Sequence, residues 1–541
     1  MTDFRNAFET LEEFYITKMA ADSVPGMTFV ITDGKQTLRR LSLGYSDLAS
    51  KSKVTDDTLF QIGSISKSFT DIALLQLVER GKLDLHAPVT EYLPWFEVKS
   101  KYPPITLHHL MTHTAGIMMG TESTGAAGSE VWALRETEVG APPGEFFHYS
   151  NTGYKALGLV LEAVTGMTCS EAVMKMIVEP LGMTHTYTTI TNDLRSTTAV
   201  GYTWLHDDRP AGRNAELAAA VWSESASADG SISSVSEDMA AYIRMILNRG
   251  AGPNGRIITE KSFELLTSRY ITPSDGYHGE SYGYGLNIED NEGHRFVWHT
   301  GGMVGYTSSM LMDLDLDIGI IILTNSLSGP EDMARHSIQV MRAAAEGKTM
   351  PEAIVNPHAH MTENPGKYAG TYDGDCGAVT ISVKGGLLVA DIEGQTVVLE
   401  GLRDNEYLLD IPEFRLFPLK FIIKGDQIVG FGHGSDSYWL EPCAVSPAAH
   451  EYPEVWKAFV GHYRSHNSWM SNIRVVLRDG ELSYVDPSAG EEPMVPLPDG
   501  SFRIGKDPRS PERIRFDMII GGKAFRACIL GGGCLHRSFV E

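Results

Sequence analysis

Up to Glu346 the apolar positions alternate between two rhythms, one near two residues and one near 3.6. Phe4, Phe8, Leu11, Phe14 and Tyr15 recur at helical spacing and predict a docked amphipathic helix within Met1–Ala20. Met27–Thr32 and Leu38–Leu43 read as paired strands about an Asp33-Gly34 turn. A helix is predicted from near Ser64, with Phe69, Ile72, Leu75 and Val78 as its buried face and Gly81 as its stop. Further helices are expected at 153–166, 171–178, 236–248 and 259–268, with capping-box spacing at Ser234-Val235-Ser236-Glu237. Strand-like runs return at 282–288, 295–299, 306–313 and 317–324, followed by a helix at about 330–346. A hairpin, then helices, then strands points to an α+β domain built on an antiparallel sheet.

From Gly347 to Pro365 periodicity is lost, as in a linker. Beyond it helix signals nearly vanish, and short strands separated by Gly, Asp and Asn take over, among them Ala378–Val383, Leu387–Ile392 and Glu406–Ile411. Tyr368-Ala369-Gly370-Thr371-Tyr372 is echoed by Phe459-Val460-Gly461-His462-Tyr463, each ahead of such a run. This predicts two small antiparallel β-barrels in tandem, joined by a short linker at Cys443–Tyr452. The expected domains are 1–350, 365–443 and 452–541, as a chain of 541 residues exceeds one compact core.

The net charge of −24 argues against nucleic acid or an anionic membrane as partner. No run approaches a transmembrane span, and the N-terminal stretch does not read as a signal peptide, so a cytoplasmic location is expected. The five cysteines, Cys169, Cys376, Cys443, Cys528 and Cys534, fit no zinc pattern. Buried free thiols are expected, although Cys528 and Cys534 would be free to pair on neighbouring strands. His108, His109 and His113 cluster without an acidic or cysteine partner at ligand spacing, so they read as structural. Met118-Met119 reads as core. No metal and no cofactor is expected.

Three short motifs carry chemistry. Ser64-Ile65-Ser66-Lys67 places a hydroxyl and an ammonium on one face of a helix start, where a desolvated lysine can take the serine proton. Ser50-Lys51-Ser52-Lys53 has the same spacing but lies in a polar stretch with no apolar helix behind it, and reads as a decoy. Tyr149-Ser150-Asn151 offers a tyrosine whose phenolate a nearby ammonium would favour, and an amide able to hold Lys67 or a substrate. Alone, the same residues would read as a half-buried tyrosine and a helix N-cap asparagine. His299-Thr300-Gly301-Gly302 follows an apolar strand, and its glycines allow backbone to approach a ligand.

In this order the motifs resemble those of the serine β-lactamase and penicillin-binding-protein-like family, S-x-x-K, S-D-N and K-T-G, and more closely the branch with Y-x-N second. That branch holds class C β-lactamases, D-aminopeptidases and β-lactamase-like esterases. The likeness spans roughly Val24–Glu346 and includes Leu110–Gly116, Tyr282–Leu286 and Gly81–Leu85. It implies an antiparallel sheet flanked by helices. It implies Ser64 as nucleophile, Lys67 and Tyr149 as proton managers in an unsettled division, and Asn151 as substrate orienter. The N–H groups of Ser64 and Gly302 would receive the oxyanion, with Thr300 and Gly301 beside the substrate. His299 stands where the family usually has lysine, a fixed charge for a substrate carboxylate. Histidine need not be charged, which favours an amidase, aminopeptidase or esterase over a penicillin-hydrolysing role.

Some relatives carry one or two lipocalin-like barrels after the catalytic domain, which restrict access to the cleft or serve packing and oligomer contacts. The reading is therefore an acyl-enzyme hydrolase of small peptides or amides, with D-residue selectivity and homo-oligomer formation left open. The alternatives are a carboxylesterase, with or without weak β-lactamase activity, and a penicillin-binding-type sensor that acylates without turnover.

Overall fold

The computed structural model describes every residue except 1–3, 123–125, 213–214, 275–278, 354–363, 375–376, 393, 441–450 and 540–541. The chain divides into two compact units. One comprises Met1–Thr203, Ala219–Val355 and Arg509–Pro511; the other comprises Trp204–Ala218, Asn356–Pro508 and Glu512–Glu541.

The first unit is α+β. Its principal helices are α1 (Arg5–Ala21), α2 (Ser66–Glu79), α3 (Asn151–Thr165), α4 (Ser236–Leu247) and α5 (Glu331–Glu346). Its sheet contains β1 (Gly26–Asp33), β2 (Thr37–Asp47), β3 (Ser52–Lys53), β4 (Ser281–Tyr282), β5 (Asn287–Asn291), β6 (His294–Met303), β7 (Tyr306–Asp313) and β8 (Ile318–Thr324). The order β4-β5-β6-β7-β8-β1-β2-β3 is antiparallel throughout and brings the first hairpin beside the last strand.

β8 reads IGIIILT and is buried at every position, as a strand covered on both faces must be. On β1, Met27, Phe29 and Ile31 enter one core with Leu11 and Phe14 of α1 and Ile338 and Met341 of α5. The alternate residue Thr28 bonds Ser236 Oγ of α4 on the other face, at 2.9 Å.

Two local expectations fail here. α2 is buried around its whole circumference from Ser66 to Leu77, Thr70, Asp71 and Gln76 included, rather than along one apolar stripe. α3 packs against it and Tyr242 of α4 stacks on Phe69, and the polar residues find internal partners, as Thr70 does at the Ala228 carbonyl and Gln76 at the Met176 carbonyl. The capping box also does not form. Ser234 pairs with Phe60 in a two-stranded sheet, its hydroxyl lies 2.8 Å from that of Thr186, and Val235 takes the N-cap position.

In the second unit, Gly370–Leu440 and Gly461–Arg537 each supply eight strands to a closed barrel. Closure pairs the first strand with the last, Tyr372 opposite Leu440 and Tyr463 opposite Arg537. The sequence echo has one structural meaning: Tyr372 and Tyr463, both fully buried, each donate to the carbonyl four residues back, Tyr368 and Phe459, at 2.7 Å. The first barrel is filled by Tyr368, Tyr372, Tyr407, Phe421, Phe431 and Tyr438.

Cys528 and Cys534 stand opposite each other on adjacent strands and form a disulfide, so free thiols are not the rule. Cys169 is free and buried. Cys376 and Cys443, the middle of the first linker and most of the second lie outside the described residues. No described single helix is long and apolar enough to cross a membrane.

Candidate active site

Ser64 sits in a single 3₁₀ turn, Gly63–Ile65, that runs directly into α2. The turn is fixed from two sides. Ile62 N donates to the Ile232 carbonyl at 2.9 Å, and the Ile62 carbonyl accepts from Ser308 Oγ at 2.8 Å. β6 passes so close that a Cβ on Gly301 would lie 1.9 Å from the Ile62 carbonyl oxygen. A Cβ on Gly63, whose φ is +54°, would lie 2.6 Å from Gly302 N. Only glycine permits this approach, and it sets the Gly302 backbone beside the residue preceding Ser64. Gly302 itself faces open space.

Lys67, one helical turn on, is completely buried. Its Nζ donates to Ser64 Oγ at 2.9 Å and to the Asp229 carbonyl at 2.8 Å. Burial pulls the ammonium down to about 8, against a partial upward pull from Asp229 and Glu122. An amine in that range can lose its proton near neutrality and recover it.

Tyr149 shares a hydrogen bond with Ser64, and Lys67 Nζ lies 4.9 Å from the centre of its ring. The expectation of a favoured phenolate fails. Burial, assisted by Asp229 and Glu122, drives the phenol well above its ordinary range and outweighs the Ser64 hydrogen bond. Asn151 is the first helical residue of α3. The N-cap is Ser150, whose Oγ accepts from Gly153 N at 3.0 Å and donates to the Met118 carbonyl at 2.6 Å. Asn151 Oδ1 is buried without a hydrogen-bond partner, an acceptor left over for a ligand.

His299 is buried on β6, its ring centre 6.5 Å from that of Tyr149. Nδ1 meets the Thr300 carbonyl, and Nε2 lies 3.1 Å from Tyr282 Oη. A carbonyl only accepts, so Nδ1 carries the proton, and Nε2 can accept from the tyrosine. Thr300, Gly301 and Gly302 pair with Ser309, Ser308 and Thr307 of β7, which makes the third motif a rigid edge along the Ser64 turn.

Several contributing residues carry no motif. His113 is buried with φ +55°; its Nδ1 accepts from Ser150 N at 3.0 Å, and its ring centre lies 4.2 Å from that of Tyr149. It props the second motif from beneath. His108 bonds Tyr284 at 2.8 Å, and His109 completes a capping box with Thr106. Lys155, on α3 one turn past Asn151, is buried between Glu122 at 2.6 Å and Glu130 at 2.7 Å. Asp229 acts on Lys67, Tyr149, Lys155 and Glu122 alike. Met118 is core, as expected, whereas Met119 is exposed. His113 lies within the Leu110–Gly116 stretch of the likeness, Lys155 stands at helical spacing from Asn151, and nothing local marks Glu122, Glu130 or Asp229.

Residues 11–345 match the family described as Beta-lactamase. Protein flp of Staphylococcus aureus strain N315 is 26% identical over 311 residues, 56% of this chain and 60% of that protein's own length. Penicillin-binding protein 4 of Amycolatopsis lactamdurans is 27% identical over 372 residues, 66% of this chain and 94% of that protein. The octameric penicillin-binding protein homologue from Pyrococcus abyssi aligns over 90% of this chain and 99% of its own, at a TM-score of 0.59 and 24% identity, a likeness of fold. The penicillin-binding protein from Bacillus halodurans aligns over 61% of this chain and 98% of its own, at a TM-score of 0.51 and 25% identity. The fold supports a serine hydrolase or acylating protein. Matched over more than half its length, with its serine, lysine and tyrosine gathered at the head of one buried helix, the chain belongs to the beta-lactamase family.

Proposed function

We propose that this chain hydrolyses amide or peptide bonds of small substrates with a free amino group beside the scissile carbonyl, through an ester on Ser64 Oγ. The observation that carries the reading is the buried Lys67 Nζ, 2.9 Å from Ser64 Oγ and held down to about 8. At neutral pH roughly a tenth of such amines are deprotonated. Ser64 Oγ attacks the carbonyl carbon, and its proton passes to Lys67 Nζ. The N–H groups of Ser64 and Gly302 receive the oxyanion. Tyr149, kept protonated, gives its proton to the leaving nitrogen and is replenished from Lys67. Water then cleaves the ester.

The substrate class rests on charge. The position that would hold a cation for a substrate carboxylate is His299, buried and bonded at both ring nitrogens. The Asp229 carboxylate acts on the same site, and Glu122, raised by burial to about 7 and paired with Lys155, adds less to it. Such a field opposes a free carboxylate on the substrate and favours an ammonium. Asn151 Oδ1 supplies an acceptor for the substrate's N–H.

The test compares wild type with Ser64→Ala on D-alanine and L-alanine p-nitroanilides, p-nitrophenyl butyrate and nitrocefin. Ser64-dependent anilide cleavage is expected to dominate, and the D/L ratio gives the handedness. Ester or nitrocefin turnover with inert anilides would overturn the amine-directed reading, and a stable Ser64 adduct without turnover would replace it with a sensor. The octamer belongs to the Pyrococcus protein; light scattering tests whether this chain assembles likewise.

A further inference from the structure

Trp204–Ala218 groups with the barrels. Its tip is tied to the second barrel: Arg464 pairs with Asp207 at 2.9 Å, Asn472 Nδ2 donates to the Asp207 carbonyl at 2.9 Å, and Arg474 lies 3.5 Å from Asp208. Against the wall of the first barrel the same tip leaves a cavity of about 260 Å³. The interior of the first barrel is packed with aromatic rings, and this cavity lies outside it.

The described lining includes the apolar Trp204, Val398 and Leu408, the acidic Glu216, Glu400 and Asp410, and the basic Arg209 and Arg415. These two arginines differ. Arg209 is held by Asp208 at 2.8 Å. The Arg415 Nε is buried without a partner, and among the described residues no hydrogen bond or ion pair reaches its guanidinium. A buried guanidinium N–H without a partner is costly, and the planar fork matches a carboxylate. The lining carboxylates fit an ammonium. The volume lies below the roughly 300 Å³ at which sites for drug-sized ligands begin.

We propose that this cavity is a second binding site, for a small apolar zwitterion such as a free amino acid or dipeptide. The ligand carboxylate meets Arg415, its ammonium faces Glu216 and Asp410, and its side chain lies on Trp204 and Leu408. The site is independent of chemistry at Ser64, so its test does not depend on turnover.

The experiment is isothermal titration calorimetry on the full chain with phenylalanine, 3-phenylpropanoate and phenethylamine. Phenylalanine is expected to bind once, and removing either charged group should weaken binding at least tenfold. Arg415→Met should weaken phenylalanine binding at least tenfold while leaving Ser64-dependent hydrolysis in the absence of added amino acid unchanged. Ala215→Trp, which adds bulk at a lining position on the hairpin, should do the same. Absence of binding at millimolar phenylalanine would overturn the proposal. So would binding that survives both substitutions in folded protein. Equal binding of all three probes would make the site a plain apolar crevice and overturn it too.

Discussion

The chain spells Ser-x-x-Lys twice within twenty residues, and the two copies could hardly differ more in circumstance. At Ser50–Lys53 the backbone turns between β2 and β3, so residues three apart do not share a face. Ser50 Oγ is spent on Asp47 at 2.7 Å, and Lys53 lays its ammonium on the Tyr45 ring, 3.6 Å from its centre. Both side chains are exposed to water, where a serine hydroxyl is a weak nucleophile. At Ser64–Lys67 a 3₁₀ turn entering a helix stacks the two groups, and burial removes the solvent that would keep the amine protonated. The four letters confer nothing by themselves. What sets the second copy apart is a helix buried on all sides.

The sharpest way to break this comparison is to delete each hydroxyl. Ser64→Ala should lower kcat/KM by about 10⁴-fold or more, whereas Ser50→Ala should leave it unchanged within error in steady-state assays. A folded Ser50→Ala protein as inactive as Ser64→Ala would reverse the assignment of nucleophile and decoy.

How much of this was readable beforehand follows from the same contrast. The helices of the first unit were legible where burial on one face writes a period into the sequence, as in α1 with Leu11 and Phe14 in the core, and the strands by their short apolar runs, as in β1, which is buried on both faces. The second barrel could be seen through its echo of the first, since Tyr372 and Tyr463 repeat one hydrogen bond. What could not be read depends on partners distant in sequence. Ser234 was spent on Thr186 rather than on a helix cap, and Asp71 was buried inside a helix expected to show it to water. Glu122, Lys155 and Asp229 converge from three segments to set the field at Lys67, and no local pattern announces that.

Lysine replacements come next in size. Lys67→Arg keeps a cation that does not surrender its proton, so it should cost about 10³-fold in kcat, whereas Lys53→Arg should cost nothing. The wild-type kcat/KM should rise as pH increases through about 8, because the deprotonated amine takes the Ser64 proton. In Lys67→Arg that rise should vanish. A surviving rise would assign the limb to another group. Tyr149→Phe should cost about 10²-fold in kcat with little change in KM, since the protonated phenol is asked to serve the leaving group rather than to bind substrate. An equal fall on an activated ester, whose leaving group needs no proton, would refute that role.

The smallest expected effect tests why the buried pair stays reactive at all. Asp71 lies one turn beyond Lys67, fully buried, and burial drives its carboxyl far above the ordinary range despite the Tyr154 hydrogen bond and the nearby Lys67 charge. Geometry agrees. Tyr154 Oη is 2.7 Å from Asp71 Oδ2 and 3.0 Å from the Met111 carbonyl, and one hydroxyl proton cannot serve both acceptors. A proton on Asp71 completes the chain. A neutral Asp71 does not hold Lys67 in its charged form, whereas an ionised one would raise it and push the active range to higher pH. Asp71→Asn should therefore leave the midpoint of the pH–rate rise in place and change kcat by less than about threefold, a difference under roughly 1 kcal/mol. Were Asp71 ionised, removing its charge would instead lower that midpoint, and the variant would outperform the wild type near neutral pH. The direction of the midpoint alone separates the two, whatever the substitution costs in stability.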